Sequence, residues 1–204
     1  SFFNEHGEII KYANVAGTDK EIGKLITQAT DAFVRSGMRK LVKCTSVLTK
    51  APAGFLFSKP SSRASNYFIR AENLLTETLH SHFLAFACLK VIKDASEGGM
   101  RQPDTIYLDT MAFLPVALSI QLFQAKFDAQ SIQNIRSVHS HDGLKDGPLV
   151  DGSSSLCLIS ASTNCGLAKE WVKVNGAQPG RVATFLSFLA DSESCTVLHT
   201  IEKP

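Results

Sequence analysis

Apolar positions along this chain change their period several times, and each change marks an element. Ile22, Leu25, Ile26, Ala29, Ala32 and Phe33 recur at helical spacing, which predicts an amphipathic helix over residues 20–35. Thr18-Asp19 supplies its cap and Ser36-Gly37 its stop. A second short amphipathic piece, MRKLVKCTSVLTK, leads to Pro52, and then AGFLFSKP and SNYFIRAENLL predict two extended segments. Residues 74–93 are apolar over much of a helical circumference, so that helix is expected to be well buried.

From residue 104 the rhythm becomes strand, helix, strand. DTIYLD has the pattern of a buried strand, TMAFLPVALSIQLFQAKF is mostly helical, IQNIRSVHSH is extended, and HDGLKDGP is a glycine-containing loop. SSLCLIS then predicts a strand, NCGLAKEWVKVNG a helix ending at Asn175-Gly176, RVATFLSFLAD a strand, and CTVLHTIEK an edge strand. Alternation with short loops implies parallel strands joined by right-handed crossovers. The expected class is therefore α/β, a mostly parallel sheet flanked by helices. Residues 1–50 form an amino-terminal helical segment and residues 51–204 the α/β core, all within one compact domain.

Composition narrows this picture. A chain of 204 residues with 44% hydrophobic and 20% charged residues can bury an ordinary core without staples. A net charge of +2 is too mild to indicate a nucleic-acid surface on its own, so that partner stays open. The longest apolar run, around residues 111–118, is too short to span a bilayer, so no membrane partner is expected. The chain opens on Ser1 without a secretory-type leader, which fits a piece trimmed from a longer protein. Cys44, Cys88, Cys157, Cys165 and Cys195 are odd in number, and no two form C-x-x-C. That favours reduced thiols in a cytoplasmic setting over a disulfide frame or a zinc site.

Four stretches, taken in order between residues 40 and 200, resemble a type I phosphoribosyltransferase, most closely its orotate phosphoribosyltransferase branch. In GFLFSKPSSRASNYFIR, Gly54, Phe55, Ser58, Lys59, Ser65, Tyr67 and Phe68 match a strand, basic turn and strand of that branch. In DTIYLDTMAFLPVALSI, Asp104 starts the strand before the pyrophosphate loop, and residues 114–117 match the helix after it. IRSVHSHDG, with Arg136 and Gly143 aligned, stands where the family has a mobile basic loop. LCLISASTNCG stands at the phosphoribosyl-diphosphate motif. The resemblance implies a Rossmann-like sheet with a small amino-terminal hood, a phosphorylated ribose or nucleotide ligand, Mg2+ if catalysis survives, and a homodimer.

Departures from the pattern fall on the chemistry. The two acidic positions of the last motif are Ser160 and Ala161, and its Thr-Thr is Asn164-Cys165. Neither replacement brings the negative charge that would stabilise a cationic ribosyl centre. The pyrophosphate-loop glycines are replaced by Asp109, Thr110, Met111, Ala112 and Phe113, whose side chains obstruct close backbone approach. Asp109 would also repel a polyanion. The catalytic lysine of the mobile loop falls on Ser140, with Lys145 and two histidines nearby.

What survives is a candidate anion seat, residues Ser160, Ala161, Ser162, Thr163, Asn164, Cys165 and Gly166, where hydroxyls and an amide precede a helix N-terminus. The plainer alternative is that Thr163 or Asn164 only caps that helix. Lys59 and Arg136 are the candidate ligand-binding cations, with Arg63 and Arg70 near Lys59. Asp109, His139 and His141 are the candidate catalytic groups if chemistry persists, with Asp142 and Glu170 as other sources of a carboxylate. His139 and His141 could share one face of an extended strand, but solvated loop histidines are the commoner outcome and no metal site is assigned. Cys165 reads as a packing residue before a nucleophile. His80 and His82, two apart on a helix, read as structural.

The leading expectation is a phosphoribosyltransferase-like domain, degenerate for standard catalysis, that binds a nucleotide or phosphorylated ligand, or a protein partner. Degenerate relatives of this kind occur in bacterial conflict and anti-phage operons, which supplies a setting. The alternatives are an active transferase or N-glycosidase with a rebuilt site, and a structural partner module whose pocket is filled by Met111 and Phe113.

Overall fold

The computed structural model describes residues 2–3, 9–11, 19–58, 64–95, 101–126, 132–138, 150–190 and 192–202. Strands β1 (Phe2–Phe3) and β2 (Ile9–Lys11) pair antiparallel ahead of helix α1 (Asp19–Cys44). Two small antiparallel pairs follow: β3 (Leu48–Lys50) with β6 (Tyr67–Ile69), and β4 (Phe57–Ser58) with β5 (Ala64–Ser65). Helix α2 (Thr78–Asp94) then leads into the alternating half of the chain. That half runs β7 (Thr105–Leu108), α3 (Leu114–Lys126), β8 (Asn134–Ser137), β9 (Ser155–Ser162), α4 (Gly166–Asn175), β10 (Val182–Ser187) and β11 (Thr196–Thr200). The five strands β7 to β11 form one sheet, parallel throughout, in the order β11-β10-β9-β7-β8.

Helices cover both faces, and side-chain alternation along the strands explains the two cores. Ile106, Leu108, Leu156, Leu158, Ala183 and Phe185 point to one face, where Leu84 and Cys88 of α2 and Val116 and Ile120 of α3 close over them. Tyr107, Cys157, Ile159 and Val182 point to the other, under Leu167, Ala168 and Trp171 of α4. Tyr107 and Trp171 stack at 5.0 Å between centroids, and Phe113 meets Phe185 at 4.9 Å on the opposite face. Double burial is why β9 and β10 read as nearly continuous apolar runs. β11 is an edge strand, as its pattern predicted.

Three elements differ from the sequence pattern, each for a packing reason. α1 does not stop at Ser36-Gly37 but runs on to Cys44, absorbing the second amphipathic piece. Gly37 serves close approach there, since a Cβ would lie 2.4 Å from the Phe83 ring of α2. The expected apolar face of the first half of α1 is also not a core face: Leu25 and Phe33 are 63% and 59% exposed, while Met38 and Leu41 in the second half are buried. In AGFLFSKP, described as far as Ser58, the chain turns at residues 53–54, where Gly54 takes φ +81° and the Phe55 N–H donates to the Pro52 carbonyl, and only β4 is strand. Residues Ala71–Leu75 form a 3-10 turn rather than extended chain, which points Ala71 and Leu74, three apart, together into the core.

Candidate functional site at the strand-order reversal

β7 and β9 are neighbours in the sheet, yet the chain leaves them on opposite faces: α3 after β7 packs in one core, α4 after β9 in the other. Numbered within the sheet, the strand order is 2-1-3-4-5, and the reversal between its first and third strands is where open α/β sheets carry a ligand crevice. The residues at the carboxyl ends there are Asp109, Thr110 and the stretch from Ser160 to Gly166.

β9 outruns β7. Their last paired residues are Leu108 and Leu158, whereas β9 continues along β10 as far as Ser162 opposite Ser187. The Ser160 N–H on the short flank is therefore taken by a side chain: it donates to Asp109 Oδ1 at 2.9 Å. The Ser160 hydroxyl donates to Asp109 Oδ2 at 2.7 Å. Burial pushes the Asp109 carboxyl above its ordinary value, and the bonds from Ser160 and the Thr110 amide oppose that without cancelling it. Thr110 shapes the next turn, its hydroxyl accepting the Ala112 N–H at 3.3 Å.

On the other side of the crevice the chain turns into α4. Cys165 is the N-cap residue, in the left-handed region at φ 54° and without a side-chain capping bond. Holding a non-glycine residue there costs about 1–2 kcal/mol. What it gains is a buried thiol 3.7 Å from the Ser187 hydroxyl. Asn164, one residue earlier, accepts the Gly166 N–H on its Oδ1 at 3.2 Å. A side chain at residue 166 would press on that amide, because its Cβ would stand 3.1 Å from Asn164 Oδ1. The first turn of α4 is closed by the Lys169 N–H donating to the Cys165 carbonyl at 3.0 Å.

The fold thus sets Asp109, Thr110, Ser160, Ala161, Ser162, Thr163, Asn164, Cys165 and Gly166 at or just beyond the carboxyl ends of the neighbouring strands β7 and β9, with Asp109 and Ser160 in contact. Ala161 also packs against the main core. Arg136 is not among them: it is exposed on edge strand β8, on the far side of β7 from β9. Arg70 lies over the Phe68 ring at 5.8 Å. Lys59, Arg63, His139, Ser140, His141, Asp142, Gly143 and Lys145 lie outside the described residues. Glu170 is half-buried on α4. His80 Nδ1 is 3.2 Å from the Thr76 hydroxyl, and His82 packs near Phe123. Of the two residues that the structural-module alternative would have fill the pocket, Phe113 is in the core against Phe185 and Met111 is 46% exposed.

Asp109 is the described carboxylate nearest to where Mg2+ would be held with a phosphorylated ligand. Both Asp109 oxygens already accept from Ser160, and no three His, Cys, Asp or Glu side chains among the described residues could hold a metal. Among those residues, too, no helix is long and apolar enough to cross a membrane. The five cysteines are free thiols, and burial raises the pKa of Cys88, Cys157 and Cys195. Sequence reasoning missed Ser187, whose hydroxyl accepts the Leu189 N–H at 3.0 Å and meets the Cys165 thiol. Its signal was a hydroxyl at the carboxyl end of a strand buried throughout.

Neither a family model nor a curated protein matches the chain. Among solved structures it is similar to an orotate phosphoribosyltransferase from Aeropyrum pernix, at 12% identity and a TM-score of 0.42, over 78% of this chain and 90% of that one. It is similar also to an orotate phosphoribosyltransferase from Francisella tularensis, at 16% identity and a TM-score of 0.37, over 72% of this chain and 69% of that one.

Proposed function

We propose that this chain is a phosphoribosyltransferase-like domain that seats a phosphorylated small molecule or nucleotide at the carboxyl ends of β7 and β9 without performing the standard transfer. One observation supports the reading: a stretch of hydroxyls and an amide leads from β9 into the start of a ten-residue helix at the strand-order reversal, where the Asp109 carboxylate is engaged by Ser160. A free acidic pair to bear a cationic ribosyl centre is lacking at Ser160-Ala161. A role within a larger bacterial conflict system accords with a binding rather than a turnover function.

A second reading rests on Asp109. Its carboxylate lies against Ser160, the position where the resembled motif carries its first acid, so it is the group that a rebuilt transferase or N-glycosidase would use. Isothermal titration with phosphoribosyl diphosphate and nucleoside monophosphates, with and without magnesium, separates the two. Saturable binding without turnover supports the proposal, and turnover that dies in Asp109→Asn supports the alternative. Binding of none of these ligands sinks both. Replacing Thr163 and Asn164 together by bulky apolar residues is expected to abolish binding while the melting temperature stays within about 5 °C. A large loss of stability with binding retained would show that the stretch serves only as a cap.

A further inference from the structure

The Asp109 carboxylate is held as a bound anion would be. It accepts the Ser160 hydroxyl at 2.7 Å and the Ser160 N–H at 2.9 Å. Charge-assisted bonds of this kind, both given by Ser160 on the overhanging end of β9, make a small cradle of donors. The Ser160 N–H belongs to the stretch of β9 that runs beyond β7, so no β7 backbone group competes for it. On the far lip of the crevice Asn164 Oδ1 likewise holds the Gly166 N–H. Two backbone donors at the mouth are thus covered by oxygens of the chain's own side chains.

From this arrangement, and resting on the ligand seat proposed above, we infer that Asp109 is an internal occupant of the anion seat, which a phosphorylated guest must displace. A phosphate cannot share the cradle with a carboxylate, because the two need the same N–H and hydroxyl and their charges repel at hydrogen-bond distance. Displacement is feasible because what ties Asp109 to the seat is the pair of Ser160 hydrogen bonds, which a phosphate oxygen can accept equally well. The seat therefore favours guests that bring other contacts sufficient to expel Asp109, and discriminates against free inorganic phosphate.

The test titrates inorganic phosphate and adenosine monophosphate into the wild-type chain, Asp109→Ala and Asp109→Asn, without magnesium. Asp109→Ala, which empties the cradle, is expected to bind phosphate about tenfold or more tightly than wild type. Asp109→Asn keeps the cradle filled and is expected to gain less than Asp109→Ala. Binding by Asp109→Ala alone also supports the inference. Equal phosphate binding by wild type and Asp109→Ala, with circular dichroism unchanged, overturns it and leaves the ligand seat standing. No binding by any of the three, of either ligand, overturns both. A readout that needs no variant is the Asp109 carboxyl carbon resonance in the wild-type chain. It is expected to shift as either ligand saturates, and a stationary signal at saturation overturns the inference.

Discussion

Asp109 has a stability consequence as well as a binding one. Burial raises its carboxyl pKa in the folded chain above the ordinary 3.8, so ionisation is harder in the folded than in the unfolded state. The folded chain then binds more protons than the unfolded one between those two values, and stability falls as the pH rises through that window. The contribution is fully present below the unfolded pKa and lost above the folded one. Asp109→Asn preserves the shape and the Ser160 contacts without the buried charge. The variant is expected to melt above wild type at pH 7, with the gap closing as the pH approaches 4. A gap that widens on acidification would show that the hydrogen bonds outweigh burial. Cys165 is a second residue held at a cost, its backbone in the left-handed region so that its thiol can reach Ser187. Neither feature is legible in the sequence, since Asp109 and Ser160 are 51 positions apart and a cysteine carries no propensity for positive φ.

At the scale of elements, the seat depends on how β9 and α4 are held together at their remote ends. Gly152, just before β9, donates its N–H to the Asn175 carbonyl at the end of α4, and Asn175 Oδ1 accepts the Val150 N–H at 3.0 Å. A Cβ at residue 152 would stand 2.4 Å from the Asn175 carbonyl oxygen and 2.6 Å from the Ala177 nitrogen. Those atoms are backbone and cannot swing aside as a side chain would. Gly152→Ala is therefore expected to destabilise the chain by about 1–3 kcal/mol, measured by urea denaturation. A change below about 0.5 kcal/mol would mean that the two elements slide freely past each other. Gly37 meets only the mobile end of the Phe83 ring, so the same close approach there is the more forgiving one. Periodicity located the strands and helices of the α/β half well, because each buries a defined face. It mistook Ser36-Gly37 for a stop, because a glycine that admits a neighbouring helix looks the same as one that ends its own.

Across the whole molecule, the homodimer implied by the resemblance needs a face. Leu118 and Leu122, 51% and 48% exposed, lie four residues apart on one side of α3, Met111 in the turn before it is 46% exposed, and no charged residue occurs between Thr110 and Ala125. Two such seams meeting about a two-fold axis would be self-complementary. Sedimentation should then give a dimer for wild type and a monomer for Leu118→Glu, with the melting curve of the monomeric fold preserved. A monomeric wild type would set aside the homodimer that the resemblance implies. By itself the sequence determined the α/β class, the order of strands and helices from residue 104 onward, and the stretch that turns from β9 into α4. These follow from local spacing, which is written in neighbouring residues. Tertiary structure alone decided that β7 lies beside β9, that β9 outruns it, and that Asp109 takes the Ser160 N–H left over. The physical reason is that a hydrogen-bond donor's partner depends on which strands the crossovers bring together, and no pattern within either strand records that choice.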